Sequence, residues 1–477
     1  MRKLFCLILA LAMLATVCVA LGEEATAPKY DLQGMTVKVR LWDFPNPYDA
    51  ETDPVNVEKY LPIFEAAKAN YNCEFEFYSP TVEYDDFTKE WLQSIASGSP
   101  CWHITNNFSA MWLIAMTAND GLVDISKALE TIEMPELFKK TAAVGDGVYG
   151  FVTGYQGTEG LVYNRDMIDE AGMEYTPTEM FMQAKWSYDD FYDYMVELQS
   201  KLPEGTYAFF IDPNYWNIFA SAANGTAAVS NDLELTMTSE AYIETMEFLQ
   251  KLWQAGVCRM PNVTESGSYD NWGTPAATFD KGVEVAMTHR AGWQYGGLNS
   301  NGINWGFVPY PWGSNVTLGV EGDYTTLSDT YKAAFYDYGC MGNILSGVEN
   351  DFPGIDKDYL VEALVNLTYD LFVSEESQAK LAEMAKGEEA TGEIDLGSYN
   401  TIEDATLYNF LKQRTVYNNS STLGNADLLD CTYNGDERIT WFGGAIRYAV
   451  YDNLSMRAVL EAVAPQIEAN FVAAGMK

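Results

Sequence analysis

The amino-acid sequence predicts an α/β protein, and two observations carry that reading. Short, alternating, β-branched runs are separated along most of the chain by longer segments of helical spacing. With 477 residues, 48% of them hydrophobic and 20% charged, there is apolar material for roughly three domains of about 150 residues each. The 23 Phe, 31 Tyr and 12 Trp also set the chain apart from a solvated acidic polymer.

Taken in order, a linker from Glu23 to Pro28 leads into Thr36 to Trp42, whose alternation and β-branching predict a strand that ends at Asp43-Phe44-Pro45-Asn46-Pro47. Val55 to Tyr71 has helical spacing, Cys73 to Tyr78 is a short strand, and Asp85 to Ser97 is a helix closed by Gly98. Strand, helix, strand, helix in that order points to a parallel sheet covered on both faces. Further strands are expected at Leu161 to Tyr163, Tyr207 to Ile211, Val283 to Met287 and Trp305 to Val308, with helices such as Ser187 to Leu202 and Ser239 to Ala255 between them. Gly145, Gly147 and Gly150 satisfy a dinucleotide-binding spacing, but Asp146-Gly147 before Val148-Tyr149 reads as a hairpin turn. No repeat of solenoid period is visible.

The N-terminus reads as an export signal. Arg2 and Lys3 precede an apolar run from Leu4 to Leu21, and small residues end at Gly22 before Glu23-Glu24. Residues 1–22 are therefore expected to be a signal peptide cleaved after Gly22. Lipid attachment at Cys18 is the alternative, and an uncleaved anchor a third, since the run sits at the lower edge for a membrane span. Either way the protein is expected outside the cytoplasm: extracellular, at the cell surface or periplasmic.

Lys and Arg number 28 against 68 Asp and Glu, a formal charge of −40, which repels a phosphate backbone or an anionic membrane, so no nucleic-acid partner is expected. Only two histidines occur, His103 and His289, in no zinc spacing. No G-x-S-x-G elbow, P-loop or EF-hand loop is present, and no cofactor or metal is expected. After the signal five cysteines remain, Cys73, Cys101, Cys258, Cys340 and Cys431. A Cys73–Cys101 bridge is open on this reading, while burial as free thiols is expected of most.

In open α/β sheets ligands sit beyond the carboxyl ends of strands. Trp42-Asp43-Phe44 follows the first strand; His103 to Phe108, with Asn106 and Asn107, follows another; Asp212, Tyr215 and Trp216 follow a third; Arg290 to Tyr295, with Trp293, follow a fourth. Each stretch sets an aromatic beside an amide or a charge. Rings stacking on sugar faces, with carboxylates and amides taking hydroxyls, would use this mixture. Core packing is the alternative for each ring, and pairing with one of the many acids is the alternative for Arg290. Trp441 stands before Gly443-Gly444, which admit close approach by a ligand or by a neighbouring strand. Asn164-Arg165-Asp166 reads as structural, with Asp166 capping a helix from Met167 to Ala171.

The order of motifs resembles the extracellular solute-binding proteins of bacterial ABC importers, in particular the sugar-binding family that includes maltose-binding proteins. The carriers are VRLWDF, IASGSP, NDGLVDIS, DGVYGFVTGYQGTEGLVYNRDMIDEAG, KWSYDDFYDY, FDKGVEVAMTHRAGW, NWGFVPYPWG, VSEESQAKLAEMA and AIRYAVYDNL, in sequence and across most of the chain. Pro100-Cys101-Trp102-His103 departs from the family's usual Asp, and insertions fall around Thr176 to Lys185 and Val320 to Tyr331. The resemblance implies a two-lobed periplasmic-binding-protein-like fold of type II, with mixed sheets flanked by helices and a hinge of crossing strands. Residues 29–154 and 333–392 would form lobe one, and 155–332 and 393–477 lobe two. By motif, Trp42, Asp43, Phe44, Asn106, Asn107 and Phe108 would line lobe one. Tyr155 to Glu159 would lie at the hinge, and Asp212, Tyr215, Trp216, Arg290, Trp293 and Trp441 would line lobe two. The implied function is capture of an oligosaccharide or related carbohydrate by lobe closure, as a monomer and without catalysis, and delivery to an ABC transporter permease. A secreted glycoside hydrolase using two of Asp43, Glu159 and Asp212 is the enzyme alternative; an adhesion or scaffold protein with no closing cleft is the third class.

Overall fold

The computed structural model describes residues 28–473 except 42–45, 50–53, 83–85, 109, 135–138, 140–141, 145, 154–158, 231–233, 262–273, 291–293, 336–340, 375–376, 378–404 and 418–428. The expected signal peptide with Cys18, and Trp42, Asp43, Phe44, Tyr155 and Trp293, lie outside the described residues, as does the expected lobe boundary at 392.

Ten strands form two five-stranded sheets. In chain order they are β1 Met35–Arg40, β2 Cys73–Tyr78, β3 Ile104–Phe108, β4 Phe151–Val152, β5 Gly160–Asn164, β6 Tyr207–Phe210, β7 Cys258–Arg259, β8 Val285–Arg290, β9 Trp305–Val308 and β10 Met341–Ile344. The first sheet runs β2-β1-β3-β10-β4 and the second β9-β5-β8-β6-β7. β1 pairs in parallel with β2, Met35 opposite Cys73 and Arg40 opposite Tyr78, and also with β3. In the second sheet β6 pairs in parallel with β7 and β8.

The sheets are mixed rather than wholly parallel, which corrects the reading from strand–helix alternation. The antiparallel members are where the chain enters and returns: β5, first reached after the first sheet, runs against β8 and β9, and β10, on which the chain comes back, runs against β3 and β4.

Helices cover the sheets where the periodicity puts them. They include α1 Pro54–Tyr71, α2 Phe87–Ala96, α3 Arg165–Glu170, α4 Tyr188–Lys201, α5 Glu240–Gln254, α6 Lys357–Phe372, α7 Phe442–Tyr451 and α8 Met456–Ala473. α4 starts at a capping box: the Ser187 hydroxyl accepts from the Asp190 N–H while the Asp190 carboxylate accepts from Ser187. Ser239 caps α5 by its hydroxyl alone, which accepts from the Tyr242 N–H. α3 is capped by Asn164, whose Oδ1 accepts from Met167 N–H at 3.1 Å, and not by Asp166, which accepts from the Asn304 side chain at 2.6 Å. The side chain one residue before the helix has the reach to its third N–H. A hairpin forms at the expected place, with Ala143–Val144 against Gly147–Val148, but Gly147 pairs with Val144 as a strand residue and is not one of the turn residues as expected.

Each sheet has its own core. Val37, Val39, Phe64, Tyr71, Ile104 and Leu364 are buried around the first, beside a second knot of Trp91, Trp102, Phe108 and Trp112. Leu161, Phe191, Phe209, Trp216, Leu249, Met287, Ile446 and Leu460 belong to the other core. Ala333 and Ala334 also pack in this second core. Cys73, Cys101, Cys258 and Cys431 are free thiols. Cys101 packs beside Tyr78, at the far end of β2 from Cys73. Five residues of strand are roughly 16 Å, too far for a disulfide.

Candidate functional site

The second sheet gathers chemistry at one end. β6 and β8 run in parallel, so Asp212 and His289-Arg290 stand together at their carboxyl ends. β5 runs the other way with Gly160 opposite Arg290, which brings Glu159 to the same end. Glu159, Asp212, His289 and Arg290 are all buried, while Tyr215 is half-buried. Sequence positions spread over more than a hundred residues thus converge on the ligand-binding edge of an open sheet.

Asp212 sets the turn. Its carboxylate accepts from the Asn214 N–H at 2.8 Å, and Pro213 occupies the first helical position, so the chain leaves β6 in a fixed direction. Tyr215 then lies with its ring centroid 4.2 Å from that of His289, tilted by 31°. Phe219 stacks on His289 as well, at 4.5 Å and 25°. The imidazole's Nδ1 is 2.9 Å from the Tyr310 hydroxyl, and its Nε2 is 3.5 Å from Glu159 Oε2. Burial, and the Arg290 charge after it, hold the His289 pKa well below the ordinary 6.5, so the ring is neutral.

Arg290 is ion-paired with Asp280 and donates to the Ala276 carbonyl at 3.1 Å, while its buried Nε has no hydrogen bond among the described residues. The pairing with an acid that the sequence offered for it is thus present. Trp216 points away from this edge: it is fully enclosed, its indole N–H donates to the Thr245 carbonyl at 3.0 Å, and it packs on Phe209, Phe248 and Tyr310. It begins a wide helical turn, Trp216–Ala220, whose five residues are all buried, and this turn carries it into the core. The expectation that Trp216 lines a ligand site is corrected accordingly.

Trp441 is half-buried at the N-terminus of α7, in extended backbone with φ −156° and ψ 165°, and bridges to Asp430. The space over Gly443 and Gly444 is taken by the Trp441 indole itself, and Asn214 Oδ1 also closes on Gly443. The two glycines therefore seat Trp441 beside the Asp212–Tyr215 turn.

On the first sheet, Asn106 and Asn107 lie within β3, not in a loop after a strand. The Asn106 carbonyl accepts from the Thr153 hydroxyl at 2.6 Å, and its side-chain Oδ1 is buried without a protein hydrogen bond. The Asn107 carbonyl accepts from Arg40, whose guanidinium is enclosed by Phe87, Trp91 and Trp112 at 5.4, 5.0 and 5.3 Å. Phe108 is core. Sequence reading missed His289, Phe219 and Tyr310. His289 immediately precedes Arg290 at the strand end, and that adjacency to a site candidate is the signal that could have found it. Among the described residues, no three His, Cys, Asp or Glu side chains converge for a metal ion.

Residues 62–341 match the family of bacterial extracellular solute-binding proteins. A search of curated protein sequences finds no match. Among solved structures, the cyclic α-maltosyl-1,6-maltose binding protein of Arthrobacter globiformis is similar at a TM-score of 0.59 and 14% identity, over 92% of this chain and 99% of that one. An ABC substrate-binding protein from Listeria monocytogenes, in complex with cycloalternan, gives 0.55 and 14% over 93% and 100%. UgpB from Mycobacterium tuberculosis, in complex with glycerophosphocholine, gives 0.56 and 12% over 92% and 98%. At such identities the likeness concerns the fold, which is the two-lobed mixed α/β architecture.

Proposed function

The chain belongs to the family of bacterial extracellular solute-binding proteins, and on that premise we propose that it captures a carbohydrate between two lobes for an ABC importer. The observation that carries the carbohydrate reading is the edge at which the half-buried Tyr215 follows Asp212 and lies on His289, itself 3.5 Å from Glu159, while the half-buried Trp441 meets Asn214 of the same turn at Gly443. Rings of this kind cover apolar sugar faces while carboxylates accept from hydroxyls. That two of the similar structures are named for saccharides supports the same reading.

In this reading lobe one is built on the first sheet and lobe two on the second, and the segment before Glu159 is one crossing. Asn106, Asn107 and the Trp42-Asp43-Phe44 stretch face the ligand from lobe one; Tyr155, Trp293 and Arg290 border it near the hinge and lobe two. Ligand binds the closed arrangement better and shifts the equilibrium toward it. The leader ending at Gly22 directs export, the receptor works as a monomer, and the loaded form docks on the permease. Among the described residues no helix is long and apolar enough to cross a membrane.

The test is a thermal-shift panel of maltotetraose, cyclic glucans and glycerophosphocholine. A true ligand at a hundred times its Kd adds about 2.7 kcal/mol to stability. Stabilisation by a saccharide, unchanged after hours by product analysis, is the expected result. Release of hydrolysis products would establish the glycosidase alternative, and stabilisation by glycerophosphocholine alone would replace carbohydrate with a phosphodiester ligand.

A further inference from the structure

We infer that His289 is a positioning residue of the ligand site: it holds the Tyr215 ring in the pose that meets the ligand. The inference rests on Tyr215 contacting a saccharide, as proposed above. Three features carry it. The imidazole is the central ring of a stack, with Tyr215 at 4.2 Å and Phe219 at 4.5 Å, while Tyr215 and Phe219 are 6.3 Å from each other. Tyr215 is half-buried, whereas His289 is buried and presents no face of its own to a ligand. The imidazole is fixed independently of Tyr215: it belongs to β8 opposite Leu161 of β5, and its Nδ1 is 2.9 Å from the Tyr310 hydroxyl.

The Tyr310 anchor is itself rigid. Tyr310 is buried, stacks on Phe219 at 5.6 Å and 20°, and its carbonyl accepts from the Tyr331 hydroxyl at 3.1 Å. On the other side of the imidazole, Glu159 Oε2 approaches Nε2 to 3.5 Å without a hydrogen bond, so the Tyr310 contact at Nδ1 and the β8 backbone are what fix the ring. A tyrosine on a three-residue helical turn has two free torsions, and it is the flat face of a fixed neighbour that selects one setting. Charged groups near the stack are Glu159 and Arg290; neither is needed for the ring-on-ring contact, which a neutral imidazole makes.

The experiment is a double-mutant cycle read by calorimetric titration with maltotetraose, beside thermal melts of each variant. Tyr215→Ala is expected to weaken binding about ten-fold or more. His289→Ala should weaken it by a similar factor in the wild-type background and by less than about two-fold in the Tyr215→Ala background, because the contact it supports is already gone. Should His289→Ala fail to fold, His289→Gln, which keeps polar atoms but loses the ring, is expected to behave the same way. His289→Phe restores a flat ring and is expected to recover affinity to within about three-fold even though it releases the Tyr310 hydroxyl and lowers the melting temperature. A residue that only stabilises the core would move the melt in all variants and leave the coupling at zero. Equal losses in both backgrounds, or no loss of affinity in the wild-type background, overturn the inference. If Tyr215→Ala binds as well as wild type, Tyr215 is not in the site and the inference falls with it. If the wild type binds no saccharide, the carbohydrate reading has failed and the inference with it.

Discussion

The indole N–H of Trp216 donates to the Thr245 carbonyl at 3.0 Å, whereas the ring of the preceding residue, Tyr215, rests on His289. Two adjacent aromatics thus serve opposite ends of the same turn, one the core and one the sheet edge. Trp216→Ala should cost about 3–5 kcal/mol of stability, as expected for a large ring deleted from a packed core. Trp216→Phe should cost about 1–3 kcal/mol, from lost volume and an orphaned carbonyl. In both, the folded fraction should bind saccharide as well as wild type, by denaturant titration beside calorimetry.

His103 predicts a pH dependence. It is buried, its Nδ1 accepts from the Lys38 N–H at 3.1 Å, and its Nε2 donates to Asp351 at 2.9 Å. Burial pushes its pKa down from 6.5 to about 4, with Asp351 opposing. The folded state therefore takes up this proton later than the unfolded chain does. Stability from this group is complete above pH 6.5 and is lost as pH falls through the window from 6.5 to about 4, by an order of about 3 kcal/mol. His103→Gln should be less stable than wild type at pH 7, and that gap should close progressively toward pH 4 in chemical denaturation. A gap constant with pH would mean that His103 does not titrate in this window.

Gly443 separates ligand contact from folding. An added Cβ would meet the Trp441 indole and Asn214 Oδ1, both ends of side chains that can move, while the helix gains up to about 1 kcal/mol in propensity. Gly443→Ala should leave stability within about 1 kcal/mol of wild type and weaken saccharide binding by about 1–2 kcal/mol through the displaced indole. Unchanged affinity with the same stability would take Trp441 out of the site.

Trp293 follows Gly292 after the end of β8 and is the ring that the sequence most favours as a stacking platform. Trp293→Ala should weaken binding by about 1–3 kcal/mol, the order of one large apolar face lost, with the unligated melting temperature nearly unchanged. Intact affinity with a stability loss of about 3–5 kcal/mol would assign the ring to packing instead.

What the sequence determined by itself is what local forces set. β2 and β9 fall where the sequence puts them, α4 and α5 are capped by Ser187 and Ser239, and a hairpin forms around Asp146, because period, capping and turn preference act over two to four residues. The order of elements, and with it the family resemblance, follows from those signals. The tertiary structure alone decided the rest. Asn106 and Asn107 become strand because β10, more than two hundred residues later, pairs with β3. Tyr215 and Trp216 carry the same local signal, and only His289 on one side and Thr245 on the other tell them apart. The glycines after Trp441 read as room for a ligand or a strand until the ring of Trp441 itself is seen to fill it. Each of these outcomes is fixed by contacts across a packed sheet or by a side chain folding back on its own helix, which periodicity and spacing do not encode.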